Sequence, residues 1–130
     1  MEQQKKYATT EIGPMESITR VMLKDSLGLT GAEVSFTRMP AAKAGAFIHS
    51  HKRNEEIYLF IGGKGLFWLD GEIIPVKEGT AVRVSPSCQR CLKADDAEPL
   101  AYICIQADEG SLVQSTRDDG IRAEFQPVWE

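Results

Sequence analysis

The chain has 130 residues, of which 15 are basic and 19 acidic, giving a formal charge of −4 and a pI near 5.2. That balance excludes the electrostatic footprint of a nucleic-acid or anionic-membrane binder, and no run of about 20 apolar residues is present to span a bilayer. The length suits one domain able to bury a core without disulfides. Its three cysteines, Cys88, Cys91 and Cys104, are odd in number and lack framework spacing. The opening MEQQKKYATT has no apolar leader core, so the two features together predict a cytoplasmic protein.

Residues 1–32 read as an N-terminal arm. They are polar, broken at Gly13-Pro14 and again at Gly28 and Gly31, with one short apolar stretch at 21–23 suited to an edge strand on this chain's sheet or a partner's. A barrel core is expected over 33–107. Val34 and Phe36 alternate with Glu33, Ser35 and Thr37, which is strand patterning. The loop PAAKAG leads to a second strand over 46–51, and HKRN turns the chain. Residues 56–61 form an apolar strand closed by Gly62-Gly63. A separate strand over 65–69 ends at Asp70-Gly71, a strong hairpin signal, and 72–76 returns. Further strands are expected over 80–84, from 90 to 93, and over 100–106. Residues 108–130 have no clear period and are expected to pack on the barrel as a tail, with Trp129 as a packing anchor or dimer contact. Short strands at spacings near ten residues, with no long helical pattern, predict an all-β barrel or double-sheet jelly roll in a single domain.

The chemistry is concentrated between Gly45 and Gly63. Alternate residues of a strand share a face, so His49 and His51 place two imidazoles together while Ser50 points away. A carboxylate on the next strand, Glu55 or Glu56, completes a face of two histidines and one carboxylate. Such a face holds Fe, Mn, Ni or Zn and leaves coordination positions open. Tyr58, Phe60, Phe67 and Trp68 read as lining and packing, and Cys104 as core. Cys88-x-x-Cys91 follows Pro86 in a β-loop instead of opening a helix, which argues against thioredoxin-like redox chemistry. No Ser-His-Asp arrangement or phosphate-cradling glycine loop is present in the sequence.

The spacing His49-x-His51-x4-Glu56-x6-Gly63 resembles the first motif of the cupin superfamily. The shorter register, His51-x3-Glu55-x6-Gly62, also matches, and Gly45 lies four residues before His49 where the family pattern has six. The resemblance covers residues 33–106 and implies a cupin-type double-sheet jelly-roll β-barrel with an N-terminal arm. It implies a homodimer that binds a small-molecule ligand, a divalent metal on His49, His51 and Glu56, and a pocket including Tyr58, Phe60, Arg90 and Cys91. The family's second motif supplies a third histidine. Here that position falls on Arg90 when counted from Gly79, and on Cys91 when counted from Pro86. A guanidinium at that place would pair with Glu56 and leave the site metal-free, whereas a thiolate would close a metal site with a fourth ligand. Two functions stay open: a metal-dependent enzyme of oxygenase or isomerase type, and a non-catalytic, metal-free binding or sensing module.

Overall fold

The computed structural model describes residues 5–114 and 116–129. Seven antiparallel strands, β1 (Arg20–Met22), β2 (Glu33–Met39), β3 (Asn54–Leu69), β4 (Glu72–Lys77), β5 (Ala81–Val84), β6 (Arg90–Ala94) and β7 (Leu100–Asp108), build a jelly roll. β3 organises it. Its first half lies between β7 and β5, and its second half between β4 and β6, so one strand belongs to both sheets. β7 pairs in turn with β2, and β2 with β1.

Gly62 and Gly63 do not end a strand, as their position suggested; they bend one. The register with β7 slips between Phe60 and Gly62, a bulge that swings β3 from one sheet into the other. Gly63 takes φ +72°, and a Cβ there would sit 1.7 Å from the Pro99 carbonyl oxygen, so the backbones can meet only at glycine. Beyond the bend, Asp70 (φ 49°) and Gly71 (φ 90°) make the tight turn into β4 that the Asp-Gly pair predicts.

The inward face of β3 carries Glu56, Tyr58 and Phe60 before the bulge and Phe67 after it, and Phe67 is fully buried. They pack with Met39, Val76, Val84, Leu92, Leu100 and Cys104 from the surrounding strands. Trp68 points outward, opposite Ile73 and Cys91, because the bulge sets Phe67 on the inner side and its neighbour on the outer one.

The arm adds β1 to the edge of its own chain's β2. Buried Ile18 and Leu23 anchor it, and the Glu33 carboxylate accepts the Leu23 and Lys24 amides at 3.1 and 2.9 Å. In the C-terminal segment, Leu112, Val113, Ile121, Phe125 and Trp129 are all exposed, Trp129 by 93%.

Candidate functional site

Residues 46–51 form no strand. His49 makes an isolated antiparallel bridge to Arg90, with its N–H donating to the Arg90 carbonyl at 3.3 Å and the Arg90 N–H returning to the His49 carbonyl at 3.0 Å. The His51 N–H donates to the Pro86 carbonyl at 2.8 Å. Phe47 and Ile48 are exposed, so this stretch has no buried face to hold it as a regular strand. The two imidazoles nevertheless meet, their ring centroids 5.4 Å apart and their planes nearly perpendicular.

Strand alternation sends Glu56 inward, 4% exposed, while Glu55 lies on the other face of β3. Arg90, the first residue of β6, enters from the opposite side and is 1% exposed. Its Nη1 donates to Glu56 Oε1 at 2.5 Å. Nη2 donates to the carbonyls of Ser85, Pro86 and Cys88, and Nε to that of Cys88. The guanidinium thus ties the 85–88 loop to the barrel interior, each of its three nitrogens donating to protein. Cys91 turns to the other side of β6 and rests over Gly45, with Sγ 3.7 Å from the Gly45 carbonyl oxygen. Of the two residues that compete for the third-histidine position, Arg90 points inward.

The Glu56 carboxylate collects donors on both oxygens. Oε1 accepts from Tyr58 at 2.8 Å as well as from Arg90; Oε2 accepts from Cys104 at 3.3 Å and lies 3.3 Å from His51 Nε2. Burial opposes its ionisation, but the hydrogen bonds from Tyr58, Cys104 and Arg90, together with the charge of His51, outweigh burial and hold the carboxyl below its usual range. The same burial and the same carboxylate act in reverse on the neighbouring acids. The Tyr58 hydroxyl is pushed far up, and the Cys104 thiol to about 12, so both stay protonated donors. His49 is lowered, by burial first; Glu56 opposes the shift, while Arg90, His51 and Arg20 add to it. Its imidazole is neutral at pH 7, the form that can donate a lone pair.

Among the described residues, His49, His51 and Glu56 form a group of metal-capable donors whose ligand atoms all lie within 4.8 Å of one another. The 3.3 Å between His51 Nε2 and Glu56 Oε2 is close to the roughly 3 Å separating adjacent ligands at bond lengths of about 2.0–2.2 Å. The donor set therefore fits a divalent transition metal, with Oε2, which among the described residues accepts only the Cys104 thiol, as the carboxylate atom that has a lone pair left to face it. Arg90 supplies no fourth ligand and adds a positive charge beside the site.

A cavity of about 250 Å³ opens next to His49, walled by Tyr58, Arg90 and Cys91 and also by Arg20, Lys43 and Tyr102. Phe60 lies behind Tyr58, its ring stacked at 6.4 Å and 2% exposed, so it packs the core. Arg20, Lys43 and Tyr102 were not apparent as site residues in the sequence. Arg20 comes from the arm and Lys43 from a loop, and neither sits in a motif; Tyr102 was one aromatic within an apolar strand. A larger depression, about 460 Å³, lies outside the barrel between β4 and β6, but its Lys93 is paired with Asp96 and it contains none of the metal-capable donors.

Fold and site together define a small β-barrel in which two histidines and a carboxylate converge, one of them, His49, lining a cavity. The family model for the cupin domain matches residues 35–106, more than half of the chain, and the protein belongs to the cupin family. A cupin protein from Bacteroides fragilis is similar over 93% of this chain and all of its own, with 40% identity and a TM-score of 0.89. A cupin 2 conserved barrel domain protein from Salinispora arenicola shares the fold at 16% identity and a TM-score of 0.63, over 78% of this chain and 91% of that one. An uncharacterised protein of Methanocaldococcus jannaschii is 33% identical over 57 residues, 44% of this chain and 46% of its own, so the chain spans about half of that relative's length.

Proposed function

We propose that this cupin binds a small metabolite in the cavity beside His49, next to a divalent transition metal held by His49, His51 and Glu56. The convergence of three metal-capable donors within 4.8 Å carries the reading. When bound, such an ion supplies Lewis-acid polarisation of a ligand oxygen, the chemistry that oxygenase- and isomerase-type enzymes share. The chain's own residues set the stage for it. Arg90 and Tyr58 take one oxygen of Glu56 and keep the carboxylate ionised and aimed, and burial keeps His49 neutral. Tyr58 and Cys104 hold their protons at pH 7, so neither is poised as a general base.

The Arg90–Glu56 pair favours a second reading, a metal-free binding or sensing module, because the charge of Glu56 is already compensated. Elemental analysis of protein purified without a metal-affinity tag decides between them. About one equivalent of Fe, Mn, Ni or Zn, lost in the His49→Ala, His51→Ala double variant, supports the metal reading. Less than about a tenth of an equivalent, with none taken up on addition, sinks it and leaves the metal-free one. We also propose that the protein works as a cytoplasmic homodimer. Its three free cysteines suit a reducing compartment, and light scattering at micromolar concentration tests the dimer.

A further inference from the structure

We infer that the cavity selects a small carboxylic acid, whose anionic group is taken by Arg20 and Lys43 at the rim while its apolar body lies against Met39, Phe67 and Leu92. The inference rests on the cavity being the ligand site, and it does not require the metal.

Charge comes first. The cavity is lined by Arg20, Lys43 and Arg90 and by no carboxylate. The charge of Arg90 is neutralised by Glu56, and its Nε and Nη2 donors are taken by backbone carbonyls. Among the described residues, neither Arg20 nor Lys43 has an ion-pair partner within 4.0 Å. Two uncompensated cations therefore face a cavity whose lining offers a neutral ligand no matching anion, and an anionic ligand supplies it.

Both cations are built into the fold. Arg20 opens β1 and is held in register opposite Thr37, and its charge is felt at His49 and Tyr102 inside. Lys43 sits in a pinned loop: its N–H donates to the Pro40 carbonyl at 3.1 Å, and its own carbonyl accepts the Ala94 N–H at 2.9 Å. Below them Met39, Phe67 and Leu92 are buried and apolar. The cavity is thus cationic at the mouth and greasy at the floor, which is the polarity of an amphiphilic acid.

Size and geometry narrow the class. A volume of about 250 Å³ is below the roughly 300–1,000 Å³ of pockets for drug-sized ligands, so the occupant has one ring or a short chain. A guanidinium fork matches a carboxylate with two parallel hydrogen bonds, and a lysine adds a point charge. A phosphate monoester would bring a second negative charge, and the lining includes no helix N-terminus or glycine-rich turn to meet it.

Calorimetric titration of metal-stripped protein with benzoate, benzamide and phenyl phosphate tests the inference. Benzoate should bind saturably, and benzamide, its neutral isostere, at least about tenfold more weakly, because a charge-assisted contact contributes roughly one such factor. Arg20→Met and Lys43→Met, both at exposed positions, should each weaken benzoate several-fold, weaken benzamide less, and keep the melting temperature of the parent. Equal binding of benzoate and benzamide, tighter binding of phenyl phosphate, or wild-type benzoate affinity in the double variant overturns the assignment. So does an absence of saturable benzoate binding, and so does benzoate binding that appears only after metal loading, since the ion would then be what reads the carboxylate. Benzoate binding by protein that takes up no metal upholds this inference while removing the metal reading above.

Discussion

Arg90 and Glu56 face each other across the barrel from β6 and β3, joined Nη1 to Oε1 at 2.5 Å, with 1% and 4% of their surfaces exposed. Neither could be buried alone. Arg90 stands where the resemblance to the second motif puts a histidine, and Glu56 belongs to the first motif, so the pair is expected to bear on both stability and metal chemistry.

Arg90→Met should therefore destabilise the fold by about 3–5 kcal/mol in urea titration, because it leaves an ionised carboxylate buried and frees the Ser85, Pro86 and Cys88 carbonyls. Adding Glu56→Gln to that variant removes the orphaned charge and should recover part of the loss. A double variant no more stable than Arg90→Met would show that the carbonyl contacts, and not the ion pair, dominate.

Arg90→His should strengthen zinc binding at least about tenfold, since it removes a cation and can add an imidazole to the His49, His51 and Glu56 group. Competition against a chromophoric chelator measures the change. Unaltered affinity would mean that the position of Arg90 lies outside ligand reach.

The bend in β3 makes unequal demands on two glycines. Gly63→Ala would drive a Cβ to 1.7 Å from the Pro99 carbonyl oxygen at φ +72°, so we expect a loss above about 3 kcal/mol or failure to fold. At Gly71 the φ is +90° but nothing lies within 4 Å, and Gly71→Ala should cost only about 1 kcal/mol of backbone strain. Chemical denaturation of the two variants compares them directly.

Acid should act through Glu56. Its folded-state carboxyl is held below the unfolded value, so folding favours the ionised form; that contribution is complete above the unfolded value of about 4.3 and is lost as pH falls through the folded one. In metal-free protein the urea midpoint should fall below about pH 4.5, and the fall should be shallower in Glu56→Gln. His49, also lowered, adds a separate loss beginning below its ordinary value of 6.5, which His49→Ala should abolish. An identical acid profile in Glu56→Gln would show that other carboxylates carry the transition.

Hairpin order was legible because period-two alternation and turn residues are local; strand number was not, since 46–51 forms no strand and 56–61 and 65–69 are parts of one. Asp70-Gly71 announced its turn, and AEVSFTRM forms β2 as its period suggests, although the buried side chains are Ser35 and Met39 and not Val34 and Phe36. Where alternation was absent the reading failed. Residues 46–51 carry both histidines but have exposed Phe47 and Ile48, and they hold their place by one isolated bridge, His49 to Arg90 of β6, and the His51 N–H bond to the Pro86 carbonyl. The paired glycines read as a terminator because loss of side chains looks the same in a turn as in a bulge, and only β7 alongside them shows that pairing continues.

By itself the sequence determined that two histidines and a glutamate lie within eight residues of one another, which chain separation alone sets; strand period did not place the histidines, since 46–51 forms no strand. It could not decide between Arg90 and Cys91, because a one-residue slip exchanges inside for outside and nothing local sets the register of β6. Tertiary structure decided it through the bridge from His49 to Arg90 and the pairing of Leu69 with Arg90, which turn the guanidinium onto Glu56. It also brought Arg20 from the arm and Lys43 from a loop to the rim of one cavity. Residues so distant in the chain share a site only after the sheets have closed, and that closure gives the His49-x-His51 pair its charged surroundings.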